Sequence, residues 1–361
     1  SGRIEEAIRA QVALMASSEA YKGGSDVTAA NAADEAAKVL DRIGGVSGLA
    51  AKGNTWYNNA AEIKALKSGA VPAEIIWRSN VNEGKEDYDL GVIQEKNNFP
   101  PTLYGKGRIN PTQNLVDAFP MANGYPITDE ENSDFDDIDP YSNRDPRLDL
   151  YIIHNGSEYK GKTINTTATG DTNDGLNKIS TSTRTGYYLK KLLRDDCSAD
   201  PNNLNAQPHY NAYIRYTEIF LDYAEAANEA WGPKGKGTHN YSAYDVIKAI
   251  RQRAGITDTG YLDECAEDQA KMRELIRNER RIELCFENHR FWDLRRWKAN
   301  IAETAKGVNV TEVDGIPTFE EIDVETRNYS DYMYYGPIPQ SETLKWSNLK
   351  QNKGWNVKNN D

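Results

Sequence analysis

Two adjacent segments of the 361-residue chain place apolar and small residues at helical spacing. Six residues of "IRYTEIFLDYAEAANEAWG" fall on one broad face of a helix: Ile219, Phe220, Tyr223, Ala224, Ala227 and Ala230. After a Gly/Lys loop, "SAYDVIKAIRQRAG" predicts a second helix that ends at Gly255. Small residues along the seam allow two antiparallel helices to approach closely, so residues 213–254 predict a helix pair of the tetratricopeptide type.

A second pair is predicted at the amino-terminal side. Ile4, Ile8 and Val12 fall on one face of a helix that we expect to extend to about Ser17. An alanine-rich segment over residues 29–43 predicts the next helix, which ends at a Gly-Gly step. The sequence "AEIKALK" predicts a short third helix.

The middle of the chain has a different character. Residues 77–150 show no helical period, and long irregular segments in compact domains are usually functional or mobile. Strands are predicted in "LDLYIIHNG" and "TGYYLKKLL", which bracket a Thr/Asn/Gly-rich loop over residues 163–175. The predicted fold class is mainly α, with tetratricopeptide-like helix pairs as a scaffold for an irregular, loop-rich subdomain with a few short strands. The predicted division is helical scaffold over 1–76, loop-rich subdomain over 77–208, helical scaffold over 209–300, and a coil over 301–361 that packs on the scaffold.

Charge and composition exclude several classes of protein. The net charge of -12 argues against nucleic acid, whose phosphates require clustered positive charge, and suits a neutral or cationic ligand. No run of residues approaches the roughly 20 apolar positions that span a bilayer. The 21 Tyr and 7 Trp suit half-wet surfaces, such as sugar platforms and protein interfaces, although a tyrosine-rich core accounts for most of them. Three cysteines allow at most one disulfide.

Motif matches for a cofactor or a metal are weak. "GSEYKGKT" fits the phosphate-loop pattern, but such a loop must open a helix, and "INTTATGDTNDG" cannot sustain one, so we interpret it as a hairpin. The acidic loop over residues 129–139 does not fit a calcium loop, and we expect it to pair with Arg144 and Arg147. The four histidines form no zinc-binding spacing. No cofactor is therefore predicted.

The stretch "NERRIELCFENHRFWDLRRW" combines charged and large apolar residues within one very long helix predicted over residues 266–298. Buried charges need partners, so the stretch predicts scaffold rather than a catalytic helix. The expected pairs draw on six residues: Glu279, Glu283, Asp293, Arg280, Arg281 and Arg290. Replacing Glu279 with Ala is expected to leave a buried arginine unpaired.

The same stretch resembles the signature of the SusD/RagB family of outer-membrane nutrient-binding lipoproteins. Further motifs lie in the order expected for that family: "GRIEEAIRAQVALMASS", "AEIIWRSN", "YSNRDPRL", the helix pair described above, "YYGPIPQSE" and "NLKQNKGW". Together they cover nearly the whole chain.

The resemblance implies a tetratricopeptide-like scaffold with an irregular ligand-binding subdomain over residues 77–208. It also implies a lipid-anchored protein on the outer face of the outer membrane, which captures oligosaccharides for a SusC-like, TonB-dependent transporter. The family's amino-terminal part, with its signal peptide and lipidated Cys, has no counterpart here, and none of the three cysteines is that anchor. A non-enzymatic glycan-binding protein is the prediction. The alternatives are a peptide-binding member of the same transport system and, in another class, a helical glycoside hydrolase, which requires two placed carboxylates.

The ligand platform is expected in the irregular segment 78–104, since sugar rings stack on aromatic faces and their hydroxyls need polar neighbours. Platform candidates are Tyr88, Phe99 and Tyr104; polar candidates are Arg78, Asp87, Asn97 and Asn98. Second-choice platforms are Trp56 and Trp231, beside Gly- or Asn-rich turns. Trp77 is left out, because "EIIW" is typical of a buried strand.

Overall fold

The computed structural model describes residues 2–81 and 91–355. The helices are α1 (Gly2–Ser17), α2 (Ala29–Asp41), α3 (Ala60–Ala65), α4 (Ile93–Asn98), α5 (Gln113–Ala118), α6 (Arg147–Tyr151), α7 (Tyr216–Trp231), α8 (Ala243–Ala254), α9 (Gly260–Cys265), α10 (Gln269–Glu283), α11 (Arg290–Arg296) and α12 (Gln340–Lys345). The strands are β1 (Ile75–Arg78), β2 (Ile152–Ile153), β3 (Glu158–Tyr159), β4 (Lys162–Thr163), β5 (Tyr188–Leu189), β6 (Ala212–Arg215), β7 (Ala305–Val313) and β8 (Ile316–Glu325). They pair antiparallel as β1–β6, β2–β5, β3–β4 and β7–β8.

Helix α7 is the centre of the scaffold. Its residues from Tyr216 to Asn228 are all buried, because α1, α2, α8 and α10 pack around it. The alanines of α2 lie at the contact with α1 and α7 and keep the helix axes close. Helix α8 begins with a capping box between Ser242 and Asp245 and ends at Gly255, whose φ is 101°. The mainly helical fold with its tetratricopeptide-like pairs is confirmed.

The face of α1 that carries Ile8 and Val12 is not the face that the helix buries. Val12 is 61% exposed and Ile8 is 40% exposed. The buried face consists of Ala7, Ala10, Ala13 and Leu14. Small side chains face the neighbouring helices, because close approach of α2 and α7 leaves no room for branched residues there.

The predicted helix over residues 266–298 is broken. Helix α10 ends at Glu283, a turn follows, and α11 begins only at Arg290. Within the turn, Phe286 has φ 64° and Asn288 has φ 67°. Left-handed backbone cannot continue an α-helix, so the chain changes direction and α11 presents a different face.

The loop-rich middle of the chain carries short elements around two small cores. "GSEYKGKT" forms the β3–β4 hairpin, and residues 164–187, all described, contain no helix. The hairpin interpretation of this motif is therefore confirmed.

The expected partners of the acidic loop are wrong. Arg144 donates to the backbone oxygens of Pro140, Val116 and Phe119. Arg147 is fully buried and pairs with Asp145, Glu279 and Glu283 instead.

The carboxyl-terminal segment is not coil throughout. Strands β7 and β8 form a long hairpin, where Val308 and Val310 pack into a core beside Tyr187. Gly307 approaches the Thr185 backbone so closely that an added Cβ would clash, which explains a glycine within a strand.

A buried ion-pair network joins the scaffold to the middle of the chain. It contains five cations and five carboxylates: Arg147, Lys191, Arg215, Arg251, Arg253, Glu74, Asp145, Glu279, Glu283 and Glu287. The scaffold interpretation of the signature stretch agrees with this burial. Of its six expected residues, Glu279 and Glu283 belong to this network, whereas Arg280 and Asp293 pair with each other and with Asp222 and Arg296 in a second buried cluster. Arg281 and Arg290 belong to neither.

All three cysteines are buried free thiols. Across the described residues, every helix is too short or too polar to cross a membrane.

Candidate functional site

A cavity with a volume of about 870 Å³ lies open to solvent beside α7. Its walls come from α1, residues 21–25, β6, α7 and the segment from the α10–α11 turn into α11. The residues that line it include Gln11, Tyr21, Tyr213, Glu218, Asp222, Arg280, Asn288, His289 and Trp292. A cavity of this size holds a small oligomeric ligand.

Aromatic rings stand at the mouth of this cavity. Trp292 is 55% exposed and Tyr213 is 52% exposed, while Tyr21 is half-buried. The ring of Tyr213 meets that of Trp77 edge-to-face at a centroid distance of 5.1 Å, and Trp77 is itself 41% exposed. Exposed, mutually supported rings form a rigid apolar surface with polar edges.

The floor of the cavity carries carboxyl groups one helical turn apart on α7. The Gln11 side-chain amide donates to Glu218 at 2.6 Å, and Arg280 donates to Asp222 Oδ1 at 2.6 Å. Asp222 Oδ2 is buried and has no hydrogen-bond partner among the described residues. Since a buried polar atom without a partner is costly, this oxygen is a candidate acceptor for a ligand.

Burial decides the protonation of the floor. Burial, with the neighbouring Asp222 charge second, raises the pKa of Glu218 to about 8. Burial likewise raises the pKa of Asp222, against the opposing Arg280 charge. Burial and the Arg280 charge lower the pKa of His289 to about 4. Near neutral pH, Glu218 is therefore mostly protonated and His289 is neutral, so the floor offers hydrogen bonds more than charge.

The α10–α11 turn positions the mouth. Because Phe286 and Asn288 adopt left-handed backbone, α11 starts at a new angle and Trp292 reaches the cavity. Glu287, within the turn, forms ion pairs with Arg215 and Lys191. Burial alone would raise the pKa of Glu287, but these two charges outweigh burial and lower the pKa to about 2. The turn is thus anchored by an ion pair at its base.

Three of the expected site residues are buried, and none of them lines the cavity. Phe99 is fully buried in a small core, edge-to-face with Tyr159. Asn98 is 3% exposed and donates to the backbone oxygen of Gln94. Trp56 is 4% exposed and packs on Tyr210. Their rings and amide hold loops to the helices in this structure.

The remaining expected residues do not form one site. Arg78 is half-buried, with its guanidinium 5.8 Å from the Tyr210 ring, whereas Tyr104 is an exposed ring on a separate turn with φ 64°. Asn97 and Trp231 are half-buried, and the Trp231 ring lies against His239. Asp87 and Tyr88 lie outside the described residues.

Trp77, Tyr213 and Trp292 were not among the site residues expected from the sequence. Trp77 was expected to be buried, and strict alternation along β1 would place it on the same side as the buried Ile75. The pairing of β1 with β6 shifts in register on both sides of Trp77, so strict alternation does not hold and Trp77 is exposed. Alternation could not have found Tyr213 either, because Arg215, two residues further along β6, is buried. The position of Trp292 depends on a helix break that periodicity did not indicate.

Comparison with known proteins agrees with this architecture. A SusD-like protein of Bacteroides fragilis is 28% identical, with a TM-score of 0.69 over 97% of this chain and 64% of that one. A SusD-like carbohydrate-binding protein of the same species has the same fold, at 22% identity and a TM-score of 0.65 over 96% of this chain and 64% of that one. SusD-like protein P25 of Formosa agariphila is 37% identical over 110 residues, which are 30% of this chain and 19% of that protein. The chain thus spans less than two-thirds of the length of these relatives.

The sequence model of the SusD family matches residues 73–355. The match includes β6, α7, the α10–α11 turn and α11, which line part of the cavity, whereas α1 and residues 21–25 precede it. Since it covers well over half of the chain, this protein belongs to the SusD family.

Proposed function

We propose that this protein captures oligosaccharides at the mouth of the α7 cavity, without cleaving them. The observation that carries the proposal is the combination of exposed rings at the mouth with a polar floor of low charge. A structural relative of the same fold is described as a carbohydrate-binding protein, which supports the ligand class.

The chemistry of the cavity fits a sugar. The C–H faces of a pyranose ring stack on Trp292 and Tyr213, which present apolar faces to solvent. The sugar hydroxyl groups form hydrogen bonds with Asn288, which is exposed, and with protonated Glu218 on the cavity floor. Asp222 Oδ2, which has no partner among the described residues, accepts a further hydrogen bond. A hydroxyl both donates and accepts hydrogen bonds, so it satisfies such a mixed floor better than an anion does.

This location differs from the expected platform over residues 78–104. Arg78 and Trp77 adjoin the mouth through Tyr213, so we propose that they extend the ligand surface. Tyr104 is a separate exposed ring and serves as the matched test of the loop alternative.

The experiment begins with a glycan array on the purified protein, followed by calorimetry with the tightest oligosaccharide. Replacing Trp292 or Tyr213 with Ala is expected to weaken binding by about 1–3 kcal/mol, the range for a large ring at a binding hot spot. Tyr104→Ala should retain full affinity, and thermal melting serves as the control for folding. Loss of affinity in the Tyr104 variant alone would move the site to the loop, and binding of peptides but not glycans would favour the peptide-binding alternative.

The pair Glu218 and Asp222 keeps a glycoside hydrolase as a second candidate. Two neighbouring carboxyl groups within one cavity, each with its pKa raised by burial, resemble the carboxyl pair of such enzymes. Both carboxyls have protein partners in Gln11 and Arg280, which favours binding without turnover. Incubation with the bound oligosaccharide and chromatography of the products tests this. Hydrolysis that disappears in Glu218→Gln would replace the binding proposal with an enzyme.

We propose further that the whole protein is lipid-anchored on the outer face of the outer membrane and delivers its ligand to a SusC-like, TonB-dependent transporter. Family membership supports this assignment. We keep residues 77–208 as the loop-rich subdomain, with the division at 76, 208 and 300. Affinity purification of the native complex from membranes tests the partner, and recovery without any transporter barrel would contradict it.

A further inference from the structure

A cluster of three potential metal ligands lies apart from the cavity, between α4 and the segment before β6. One ligand atom each from Glu95, Cys197 and His209 lies within 4.8 Å of the other two. Glu95 and Cys197 are fully buried, and the His209 side chain is only 15% exposed.

The hydrogen bonds of His209 require a cation in this cluster. Its Nδ1 lies 2.7 Å from the backbone oxygen of Gln207, and a carbonyl oxygen only accepts, so Nδ1 carries the hydrogen. Its Nε2 then faces the carboxylate oxygen Oε1 of Glu95 at 3.0 Å. Two lone pairs repel at that distance unless a positive charge lies between them. That charge is either a proton, carried by the imidazole or by the Glu95 carboxyl, or a metal ion.

The surroundings of Glu95 supply no other cation for the position between its carboxylate and His209. Its Oε1 accepts from the backbone N–H of Arg194 at 2.9 Å, while Oε2 is buried without a hydrogen-bond partner among the described residues. The Arg194 guanidinium is directed to Asp196 and to the Pro208 backbone oxygen, so its charge is used elsewhere. A fully buried carboxylate with one free oxygen is costly in the absence of a cation.

Cys197 supplies the third donor. Its Sγ has only a weak contact with the backbone oxygen of Gly91 at 3.5 Å. No disulfide partner competes, since the other two cysteines are also free.

We propose that Glu95, Cys197 and His209 bind one divalent transition-metal ion, with zinc as the best fit. Imidazole nitrogen, thiolate sulfur and carboxylate oxygen are the donors zinc prefers, and zinc bond lengths place ligand atoms roughly 3.3–3.7 Å apart in a tetrahedron. The cluster therefore needs only small side-chain movements. The Nδ1–H bond to Gln207 is the outer-shell contact that directs Nε2 of a metal-bound histidine.

The site has a structural role, separate from ligand capture. It joins α4 to the segment that leads into β6, and β6 carries Tyr213 to the cavity mouth. A bound ion stabilises the folded state by mass action, because the three ligands come together only on folding. Sequence spacing could not find the site, since Glu95 is far in sequence from the other two ligands.

The test uses the purified chain, stripped with EDTA and titrated with zinc by calorimetry, with elemental analysis after desalting. We expect one zinc ion per chain and a higher Tm with zinc than with EDTA. Substitution with cobalt(II) should give the absorption bands of a tetrahedral, thiolate-bound ion. Cys197→Ser should lose the thiolate band, and Cys197→Ser and His209→Ala should each weaken zinc binding by at least about tenfold.

Matched controls separate this site from general effects. Cys265→Ser removes another buried thiol and His154→Ala removes another histidine with a carboxylate partner, and both should retain one zinc ion. Circular dichroism confirms folding, and if Cys197→Ser does not fold, His209→Ala decides alone. The proposal is overturned if the stripped wild-type chain, after titration with zinc and desalting, retains less than about 0.1 zinc per chain. It is also overturned if His209→Ala binds zinc as tightly as the wild type. The charge between His209 and Glu95 is then a proton.

Discussion

Glu283 is the carboxylate whose loss should cost most in the buried ion-pair network. Its Oε2 lies 3.0 Å from Arg147, and its Oε1 lies 2.7 Å from Arg253 and 3.4 Å from Arg215. All four side chains are at most 5% exposed. Replacement with Gln preserves shape but removes one of five negative charges, and it directs an N–H group at an arginine.

The magnitude follows from the desolvation of the arginines. Breaking a buried ion pair costs about 3–5 kcal/mol, because the remaining charge stays in a medium of low polarity. Glu283→Gln should therefore lower the free energy of unfolding by about 3–5 kcal/mol. Glu279→Gln should cost less, about 1.5–3 kcal/mol, because Arg147 keeps both Asp145 and Glu283. The expectation that loss of Glu279 leaves a buried arginine unpaired holds for Arg251, whose carboxylate partner in the network is Glu279, but not for Arg147.

The assay is urea unfolding, with the free energy taken from the midpoint and slope of each transition. The matched control is Glu267→Gln, whose partner Lys234 is 58% exposed, and it should change stability by no more than about 0.5 kcal/mol. Burial alone would raise the pKa of Glu283, but Arg253, Arg215 and Arg147 outweigh it and lower the pKa below 4.5. Its stabilisation is thus present above pH 4.5 and is lost as the pH falls through the lowered pKa, so the wild type and variant should converge in acid. Equal stability of Glu283→Gln and Glu267→Gln at neutral pH would refute the reasoning.

Two further predictions concern the cavity floor and the loop core. The folded state keeps the Glu218 proton until about pH 8, whereas the unfolded chain loses it near 4.5, so this group makes the protein less stable as the pH rises between those values. Melting curves from pH 5 to 8 should show a flatter pH dependence for Glu218→Gln, and parallel curves would contradict the assignment. Phe99→Ala should lower stability by about 3–5 kcal/mol because a buried ring is lost, whereas Tyr104→Ala should stay within about 0.5 kcal/mol. Equal melting temperatures for those two variants would mean that Phe99 is not a core residue.

The ligand site shows the limit of arguing from local sequence. Aromatic residues with polar neighbours are a sound search pattern for a sugar site, and Arg78, which the pattern included, pairs with β6 beside the cavity mouth. It could not distinguish Phe99, which fills a core, from Trp292, which stands in solvent. Both are large rings next to polar residues, and only the packing of distant segments determines which ring finds neighbours.

The sequence by itself determined the local elements and the family. Alanine-rich helical periods, the Ser242 cap and Gly255 define helices because their physical causes lie within a few residues of each other. The hairpin in "GSEYKGKT" follows equally from its immediate neighbours. The ordered motifs of the SusD family needed no structure to be seen.

Only the tertiary structure decided which faces are buried. Helix α1 buries alanines rather than Ile8 and Val12, because α2 and α7 approach it too closely for branched side chains. The turn after Glu283 breaks a strong helical pattern, where Glu287 pairs with Arg215 and Lys191 from distant segments. Helical period states which residues can share a face, but burial and charge pairing depend on residues far apart in the chain, and those contacts exist only in the folded molecule.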